Sequence, residues 1–280
     1  MQNVEARGMR MPKLGLGTWR MKGEECTKAV LGALDRGYRH IDTAQMYGNE
    51  DAVGEAMAAT SVARNDIHLT TKVWHENLAP DRMQAAMENS LKQLKTSYVD
   101  LYLIHWPSPT MDLAASLGQL IKFQEAGLAR HIGVSNFPSA LLREAVDVIQ
   151  APLVCNQVEY HVLRDQTAVL GMLAKHGMAL TAYCPLAQGR LAEHPTLETI
   201  AKKHGATPAQ VALKWLLDQP NVAAIPKAAR AESQQANLDA LRLTLDDADR
   251  AAIAALPKNQ RFVAPASGPK WDPDPATKVA

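Results

Sequence analysis

The chain has 280 residues, 47% of them apolar, which suits one large hydrophobic core or at most two small ones. Its 30 basic and 29 acidic side chains leave a formal charge of +1, which disfavours a nucleic-acid-binding surface. Short apolar runs interrupted by charges and a polar first ten residues predict neither a membrane span nor a secretory signal, and three scattered cysteines predict neither a disulfide framework nor a zinc site. We therefore expect a cytoplasmic protein that binds no metal.

Eight short runs of strand-forming residues recur along the chain. In order they are KLGLGT, YRHID, IHLTTKV, VDLYLIH, RHIGVS, LVCNQV, ALTAYC and VAAIPK. Segments with helical periodicity stand between several of these runs, and they are CTKAVLGALDRG, DAVGEAMAA, DRMQAAMENSLKQL, ALLREAVDVI, DQTAVLGMLAKHG and PAQVALKWLLDQ. Strands that alternate with helices predict βαβ units and a parallel sheet.

The number of strands separates two parallel architectures. Eight candidate strands over about 250 residues match the size of a (β/α)8 TIM barrel. A doubly wound sheet, the alternative, would carry a glycine-rich fingerprint after its first strand, and the nearest match, Gly15-Leu-Gly17, lacks the third glycine. We predict a single α/β barrel domain over residues 1–280, with an irregular, proline-rich tail over 259–280.

Each candidate strand ends in a polar residue. These residues are Thr18, Asp42, Lys72, His105, the pair Ser135 and Asn136, Gln157, Tyr183 and Lys227. Polar residues favour loops, so any single position has an ordinary structural explanation. An Asp, a Lys and a His that each close a mostly apolar strand fit that explanation less well, because the strand ends of a parallel barrel converge on the rim where active sites lie.

Four residues at this rim suit acid catalysis, and we call Asp42, Tyr47, Lys72 and His105 the tetrad. The Lys72 ammonium would lower the pKa of Tyr47 and strengthen it as a proton donor, while Asp42 would keep Lys72 charged. His105 would orient a substrate oxygen. No Ser or Cys nucleophile with a partnered base is evident, so the tetrad favours protonation of a carbonyl that receives hydride from a nicotinamide cofactor.

Seven motifs occur in a fixed order, namely KLGLGTW, GYRHIDTAQMYGNE, TTKVW, VDLYLIHWP, IGVSNF, NQVEYH and IPKA. Through them nearly the whole chain resembles the aldo-keto reductase family. The resemblance implies a (β/α)8 barrel whose base is plugged by an N-terminal β-hairpin, with MRMPKLGLG as its source, and a C-terminal tail near the active site. It implies that Tyr47 is the general acid, assisted by Lys72 and Asp42, and that His105 orients the substrate carbonyl.

Within the family the chain resembles the bacterial 2,5-diketo-D-gluconate reductases of the B type. The segments that carry this likeness are DTAQMYGNEDAVGEA, LIHWPSP and RFVAPASGPKWD. The group also reduces methylglyoxal and other small aldehydes, so the resemblance implies a small carbonyl compound as substrate.

The resemblance also implies a cofactor site. The nicotinamide end would be bound by Ser135, Asn136 and Gln157 at the carboxamide and by Tyr183 stacked on the ring. The pyrophosphate would lie against Leu186 and Gln188, and the adenosine end against Lys227, Arg230 and Asn237. Near the first two strands the site would include Gly17, Thr18 and Asp42. Ala228, Ser233 and Ala236 replace the Ser, Arg and Glu that the family usually has there. Lys227 and Arg230 still predict NADPH, with weaker use of NADH, although Arg230 could equally be a solvated surface charge.

Trp19, Trp74 and Trp106 each follow a candidate rim residue by one position, which predicts that they form the walls of a substrate pocket together with Tyr47 and His105. Trp271 in the tail would close the same cleft. Other side chains have structural interpretations. We expect loop or surface histidines at His75 and His161, and packing residues at Met9, Met11, Met21 and Met46. A late helix would be capped at its N-terminus by Asp246, Asp247 and Asp249.

Two other functions remain open from the sequence. One is a regulatory protein that binds a nicotinamide nucleotide on the same fold with little turnover. The other is an aldolase or isomerase, in which Lys72 would form a Schiff base with the substrate. We expect a monomer, because no segment is typical of an obligate interface and a whole barrel can be stable alone.

Overall fold

The computed structural model describes residues 2–273, in which a β-hairpin precedes an eight-stranded parallel sheet. The hairpin pairs β1 (Asn3–Ala6) with β2 (Met9–Pro12) in antiparallel fashion. The sheet contains, in chain order, β3 (Leu16–Gly17), β4 (His40–Asp42), β5 (His68–Val73), β6 (Val99–Ile104), β7 (Ala129–Ser135), β8 (Cys155–Glu159), β9 (Ala179–Tyr183) and β10 (Val222–Ala224). Every strand of the sheet overlaps one of the eight predicted runs, so the strand prediction is confirmed.

The first and last strands of the sheet meet and close the barrel. Parallel bridges join Leu14 to Ala224 and Gly17 to Lys227. A Cβ atom at Gly17 would lie 2.6 Å from the carbonyl oxygen of Ile225, so a glycine is needed where these two strands approach each other. The predicted (β/α)8 barrel is confirmed.

Helices connect the strands on the outside of the barrel. They are α1 (Gly23–Asp35), α2 (Glu50–Ala59), α3 (Pro80–Gln93), α4 (Leu113–Glu125), α5 (Ser139–Arg143), α6 (Thr167–Lys175), α7 (Pro195–His204), α8 (Pro208–Leu217), α9 (Ala231–Asp239) and α10 (Asp247–Ala254). Several of them, including α3, α4, α6 and α8, pack on strands of the barrel. In α3 the buried residues Met83, Ala86, Met87 and Ser90 recur at helical spacing.

Three helices, α4, α7 and α9, are absent from the sequence prediction. The sequence does contain local signals for two of them. Asp112 caps α4 by accepting the N–H of Ala115, and Pro195 occupies the first turn of α7. The predicted cap of the late helix is confirmed, because Asp246 and Asp249 each accept the other's backbone N–H at the start of α10.

The hairpin covers the amino-terminal end of the barrel. Its inward side chains Val4, Ala6, Met9 and Met11 form one buried cluster with residues that line the barrel interior, namely Leu101, Leu103, Val154, Cys155, Ala179 and Ala223. The prediction that an N-terminal hairpin plugs the base is therefore confirmed, but its predicted source is only partly right: MRMPKLGLG contains β2, whereas β1 lies upstream of it. Met9 and Met11 are packing residues, as expected, and so is the buried Met21.

Beyond α10 the described chain continues without further helix to Pro273, with one bridge between Asn259 and Arg164. The predicted irregular tail is thus observed over 259–273, and the rest of that prediction, 274–280, lies outside the described residues. None of the helices in residues 2–273 has the length and apolar character needed to cross a membrane.

Candidate active site

The tetrad assembles at the carboxyl ends of β4, β5 and β6. Asp42 is the last residue of β4, Lys72 lies one residue before the end of β5, and His105 directly follows β6. Tyr47 ends a short 3-10 turn after β4. Nζ of Lys72 lies 2.6 Å from Oδ1 of Asp42 and 3.5 Å from Oη of Tyr47, and the rings of Tyr47 and His105 are 5.5 Å apart.

The Lys72 ammonium is fully buried, and each of its three N–H groups has an acceptor. Besides Asp42 and Tyr47, it donates to the carbonyl oxygen of Thr43 at 2.7 Å. Burial lowers the pKa of Lys72, and the adjacent Asp42 opposes that shift. Gln157 donates to the other Asp42 oxygen at 2.7 Å, so both oxygens of this carboxylate are bound.

The prediction that Lys72 lowers the pKa of Tyr47 is wrong. Burial, and after it the charge of Asp42, raises the pKa of Tyr47 well above its ordinary value, so the phenol is protonated at neutral pH. Burial also lowers the pKa of His105 well below its ordinary value, with a further contribution from Lys72, so the imidazole is neutral. Nδ1 of His105 is buried and has no hydrogen-bond partner within residues 2–273.

Asn49 ties together the two loops that carry Tyr47 and Trp19, and the sequence analysis did not single it out. Its buried amide donates to the carbonyl oxygens of Thr18 and Met21, both at 2.9 Å, and accepts from Thr43 Oγ1 at 2.8 Å. The signal was its place in the motif YGNE, two residues after the tyrosine. The amide therefore fixes the turn that carries the phenol.

Two residues assigned to the cofactor by resemblance have structural contacts here. Thr18 is fully buried, and its Oγ1 donates to the carbonyl oxygen of Asp42 at 3.0 Å. Gly17 is engaged in barrel closure, where its N–H donates to the carbonyl oxygen of Pro226 at 3.2 Å. A contact of either residue with a cofactor remains a prediction.

A second polar group lies at the ends of β7, β8 and β9. Asn136, in the left-handed region with φ of 62°, donates to the carbonyl oxygen of His105 at 3.0 Å and accepts from Tyr183 Oη at 2.7 Å. Ser135 Oγ donates to the carbonyl oxygen of Gln157 at 2.8 Å. Ser135, Asn136, Gln157 and Tyr183 are thus brought together beside the tetrad, to which Gln157 is directly bonded through Asp42.

The residues predicted for the far end of the cofactor follow β9 and β10. Leu186 is half-buried, whereas Gln188 is exposed, with φ of 56°, and accepts from Arg190 at 3.0 Å. Lys227 and Arg230 are exposed, and neither side chain has a hydrogen-bond or ion-pair partner in the described part of the chain. Arg230 immediately precedes α9, whereas Asn237 is buried within that helix.

Aromatic rings surround the phenol and the imidazole. The Trp19 ring lies 4.8 Å from that of Tyr47, and the Trp74 ring lies 5.3 Å from that of His105. Trp106, buried next to His105 in the chain, contacts Trp271 of the tail at 6.0 Å. Trp19 and Trp74 therefore contact rings of the tetrad, and Trp106 connects Trp271 to this aromatic group. That the four rings are the walls of a substrate cleft remains a prediction.

His161 lies in the loop after β8, as one part of its interpretation expects, but it is not a surface histidine. His161 is fully buried, and its Nε2 lies 3.0 Å from the buried carboxylate of Glu159. His75 is half-buried and packs on Trp74, with 4.3 Å between the ring centroids. Cys184 is half-buried, and burial raises its pKa to about 11, so it is not a reactive thiolate at neutral pH.

The sequence model of the aldo/keto reductase family matches residues 13–258. The methylglyoxal reductase DkgB of Yersinia pestis is 41% identical over 268 residues, which cover 94% of this chain and 100% of that protein. An aldo-keto reductase of Mycobacterium sp. (strain KMS) is 37% identical over 271 residues, which cover 96% of this chain and 95% of that protein.

Solved structures are also similar to this chain. A crystal structure assigned to a 2,5-diketo-D-gluconic acid reductase B superposes with a TM-score of 0.95 at 41% identity and covers 98% of both chains. The thermostable aldo-keto reductase Tm1743, crystallised with the inhibitor epalrestat, superposes with a TM-score of 0.85 at 40% identity and covers 91% of this chain and 99% of its own.

Proposed function

Because the chain belongs to the aldo/keto reductase family, a family of oxidoreductases, we propose that it reduces small aldehydes and ketones to alcohols with NADPH. One observation supports the proposal most directly. A buried ammonium, Lys72, joins the carboxylate of Asp42 at 2.6 Å to the phenol of Tyr47 at 3.5 Å, next to the imidazole of His105 and inside an aromatic cleft.

Tyr47 is the proton donor in this proposal. Its raised pKa keeps the phenol protonated at neutral pH, so the proton is present when a carbonyl oxygen gains negative charge. An alkoxide is a stronger base than an ordinary phenolate, which favours transfer of the proton from the phenol. The nearby Lys72 ammonium stabilises the phenolate that remains, and Asp42 keeps that ammonium charged despite its burial.

His105 orients the carbonyl. Its lowered pKa keeps the ring neutral, so it places no second full positive charge beside Lys72. The buried Nδ1 without a partner in residues 2–273 is a polar atom that a bound molecule or a solvent molecule can satisfy. Trp19, Trp74 and Trp106 restrict the bound molecule to the side of the phenol and exclude water.

The polar, aromatic and cationic side chains at the rim of the barrel fit nicotinamide adenine dinucleotide phosphate. Ser135, Asn136 and Gln157 supply amide and hydroxyl groups for a carboxamide, and Tyr183 offers an aromatic face. Lys227 and Arg230, two exposed cations without an ion-pair partner in the described chain, suit a phosphate at the start of α9. When bound, the reduced nicotinamide supplies the hydride.

The substrate class follows from the cleft and from the relatives. Methylglyoxal and 2,5-diketo-D-gluconate, which are named in the descriptions of two relatives, are small carbonyl compounds that the aromatic walls accommodate. The Schiff-base alternative is disfavoured, because all three N–H groups of Lys72 are held by Asp42, Thr43 and Tyr47.

The decisive experiment follows NADPH oxidation by absorbance with methylglyoxal, 2,5-diketo-D-gluconate and a panel of aldehydes. Carbonyl-dependent oxidation should fall by about 10²–10⁴-fold in Tyr47→Phe, which loses the proton but keeps the ring. Tyr102→Phe is the matched control, because the buried Tyr102 hydroxyl has no partner within residues 2–273 and lies away from the tetrad on β6. Tight NADPH binding without turnover on any carbonyl would instead favour a nucleotide-binding regulatory protein.

A further inference from the structure

The tail crosses the carboxyl rim of the barrel as a strap, which we define as residues 261–272. In order along the strap, its contacts with the barrel are Phe262 and Val263 with Glu159, Trp271 with Trp106, and Asp272 with Ser139. The strap therefore runs over the ends of β8, β7 and β6, beside the aromatic cleft.

Glu159, the last residue of β8, holds the beginning of the strap. Its carboxylate is fully buried; Oε1 accepts the N–H of Phe262 at 2.7 Å, and Oε2 accepts the N–H of Val263 at 2.9 Å. Nε2 of His161 lies 3.0 Å from Oε1. A buried carboxylate is stable only when it is hydrogen-bonded, and two of the three donors described for it within residues 2–273 belong to the strap.

The neighbouring contacts determine which nitrogen of His161 carries the proton. Leu163 donates its N–H to Nδ1 of His161 at 3.3 Å, so Nδ1 is an acceptor and Nε2 is the donor to Glu159. The three hydrogen bonds described for the Glu159 carboxylate are therefore all donated to it. The His161 ring also stacks on Phe262, with 5.2 Å between centroids and 28° between the planes.

Trp271 lies near the carboxyl-terminal end of the strap, where two contacts hold it. The guanidinium carbon of Arg261 lies 3.7 Å from the centroid of the Trp271 ring, and Ser139 donates its N–H to Asp272 at 2.9 Å. Between the two ends, a cavity of about 380 Å³ separates strap residues 267–270 from the segment after β6. The strap is thus held at its ends, and the position of Trp271 depends on those anchors.

We propose that Glu159 is a positioning residue that, with His161, anchors the strap and so places Trp271 as the outer wall of the substrate cleft. Glu159 thereby tightens the binding of carbonyl substrates large enough to reach Trp271, and leaves small ones unaffected. The effect on substrates rests on the proposed carbonyl reduction, whereas the anchoring of the strap does not.

Limited trypsin digestion of the full chain tests the anchoring without any turnover. The Arg261–Phe262 bond adjoins the anchored amide, and its cleavage is followed by mass spectrometry. Glu159→Gln presents an amide NH₂ to a backbone donor, which leaves one strap N–H unsatisfied, so cleavage should be about tenfold faster. The exposed Glu193→Gln is the matched control and should cleave at the wild-type rate. An unchanged rate in Glu159→Gln would overturn the proposal.

A second variant tests the same contact from the strap side, where the barrel is left intact. Val263→Pro removes the N–H that binds Glu159 Oε2 and keeps the Arg261–Phe262 bond open to trypsin. It should release the strap in the same way, including in the event that Glu159→Gln fails to fold. Slow, wild-type cleavage in a folded Val263→Pro protein would show that this hydrogen bond does not hold the strap.

Steady-state kinetics tests the consequence for substrates, with methylglyoxal and benzaldehyde as probes. In Glu159→Gln, KM for benzaldehyde should rise about fivefold while kcat and KM for methylglyoxal stay within twofold, because only the larger ring reaches Trp271. Trp271→Ala removes the ring itself and should raise KM for benzaldehyde by at least the same factor. Equal changes for both substrates would contradict the positioning role. Absence of turnover with any carbonyl would count against the proposed function alone, because digestion still reports on the anchor.

Discussion

Nζ of Lys72 lies 2.6 Å from Oδ1 of Asp42, and neither side chain exposes more than 1% of its surface. Removing two opposite charges from water costs several kcal/mol each, and the cost is offset only when geometry and further hydrogen bonds are favourable. Thr43 and Gln157 provide those further bonds, one to each partner of the pair. The pair therefore stabilises the fold as a unit, and it presents one ammonium to the phenol of Tyr47.

A double-mutant cycle checks this coupling. Lys72→Met leaves a buried, unpaired carboxylate and should lower the free energy of unfolding by about 3–5 kcal/mol. The double variant Lys72→Met/Asp42→Asn buries no charge, so it should recover part of that loss without recovering activity. Urea unfolding measures the stability, and NADPH oxidation measures the activity. Additive effects of the two substitutions would contradict a buried, coupled pair.

Acid should destabilise the protein through three histidines that are buried in neutral form. Burial lowers the pKa of His40, His68 and His105 in the folded state, so the unfolded chain binds more protons below about pH 6.5. Their contribution is fully present above that pH and is lost as the pH falls, by up to about 1.4 kcal/mol per pH unit for each histidine.

The measurement is urea unfolding between pH 7.5 and 5 (roughly the window set by the unfolded-state pKa). His68→Leu removes one titrating ring together with a buried Nε2 that has no partner in the described chain, and should make the decline with acid shallower. A decline as steep as that of the wild type would show that His68 is not held neutral.

Cofactor preference should depend on Lys227 and Arg230. Replacement of either by Met removes a cation that suits a phosphate, so the Kd of NADPH should rise about tenfold while that of NADH stays unchanged. Fluorescence titration at low salt measures both constants, and Lys122→Met, an exposed lysine on α4, is the control. Equal weakening of both cofactors would mean that these cations do not recognise the phosphate.

A pair of glycine substitutions tests barrel closure. In Gly17→Ala the new methyl would lie 2.6 Å from a backbone oxygen of Ile225, so the first and last strands must separate, at a cost of about 1–3 kcal/mol. Gly118→Ala places a methyl inside α4 with nothing within 4 Å, and should gain about 0.5–1 kcal/mol. Thermal unfolding compares the two; a stabilised Gly17→Ala would contradict the close approach.

The sequence by itself determined the barrel and its rim. Strand and helix patterns are local properties of the chain, and a parallel barrel brings every strand end to one face, so Asp42, Lys72 and His105 could be placed together before any contact was known. The hairpin was predicted from resemblance to a family rather than from its own pattern. Helix α4 was missed although its cap, Asp112, is visible in the sequence.

Only the tertiary structure decided the direction of the pKa shift of Tyr47 and the contacts of Glu159 with the tail. The direction of a pKa shift depends on the balance of burial against neighbouring charges, and at Tyr47 burial outweighs the ammonium that the sequence analysis relied on. Glu159 and its partner Val263 are separated by 104 residues, and no periodicity or spacing links them. Such a contact exists only because the completed barrel brings the end of β8 beneath the returning tail.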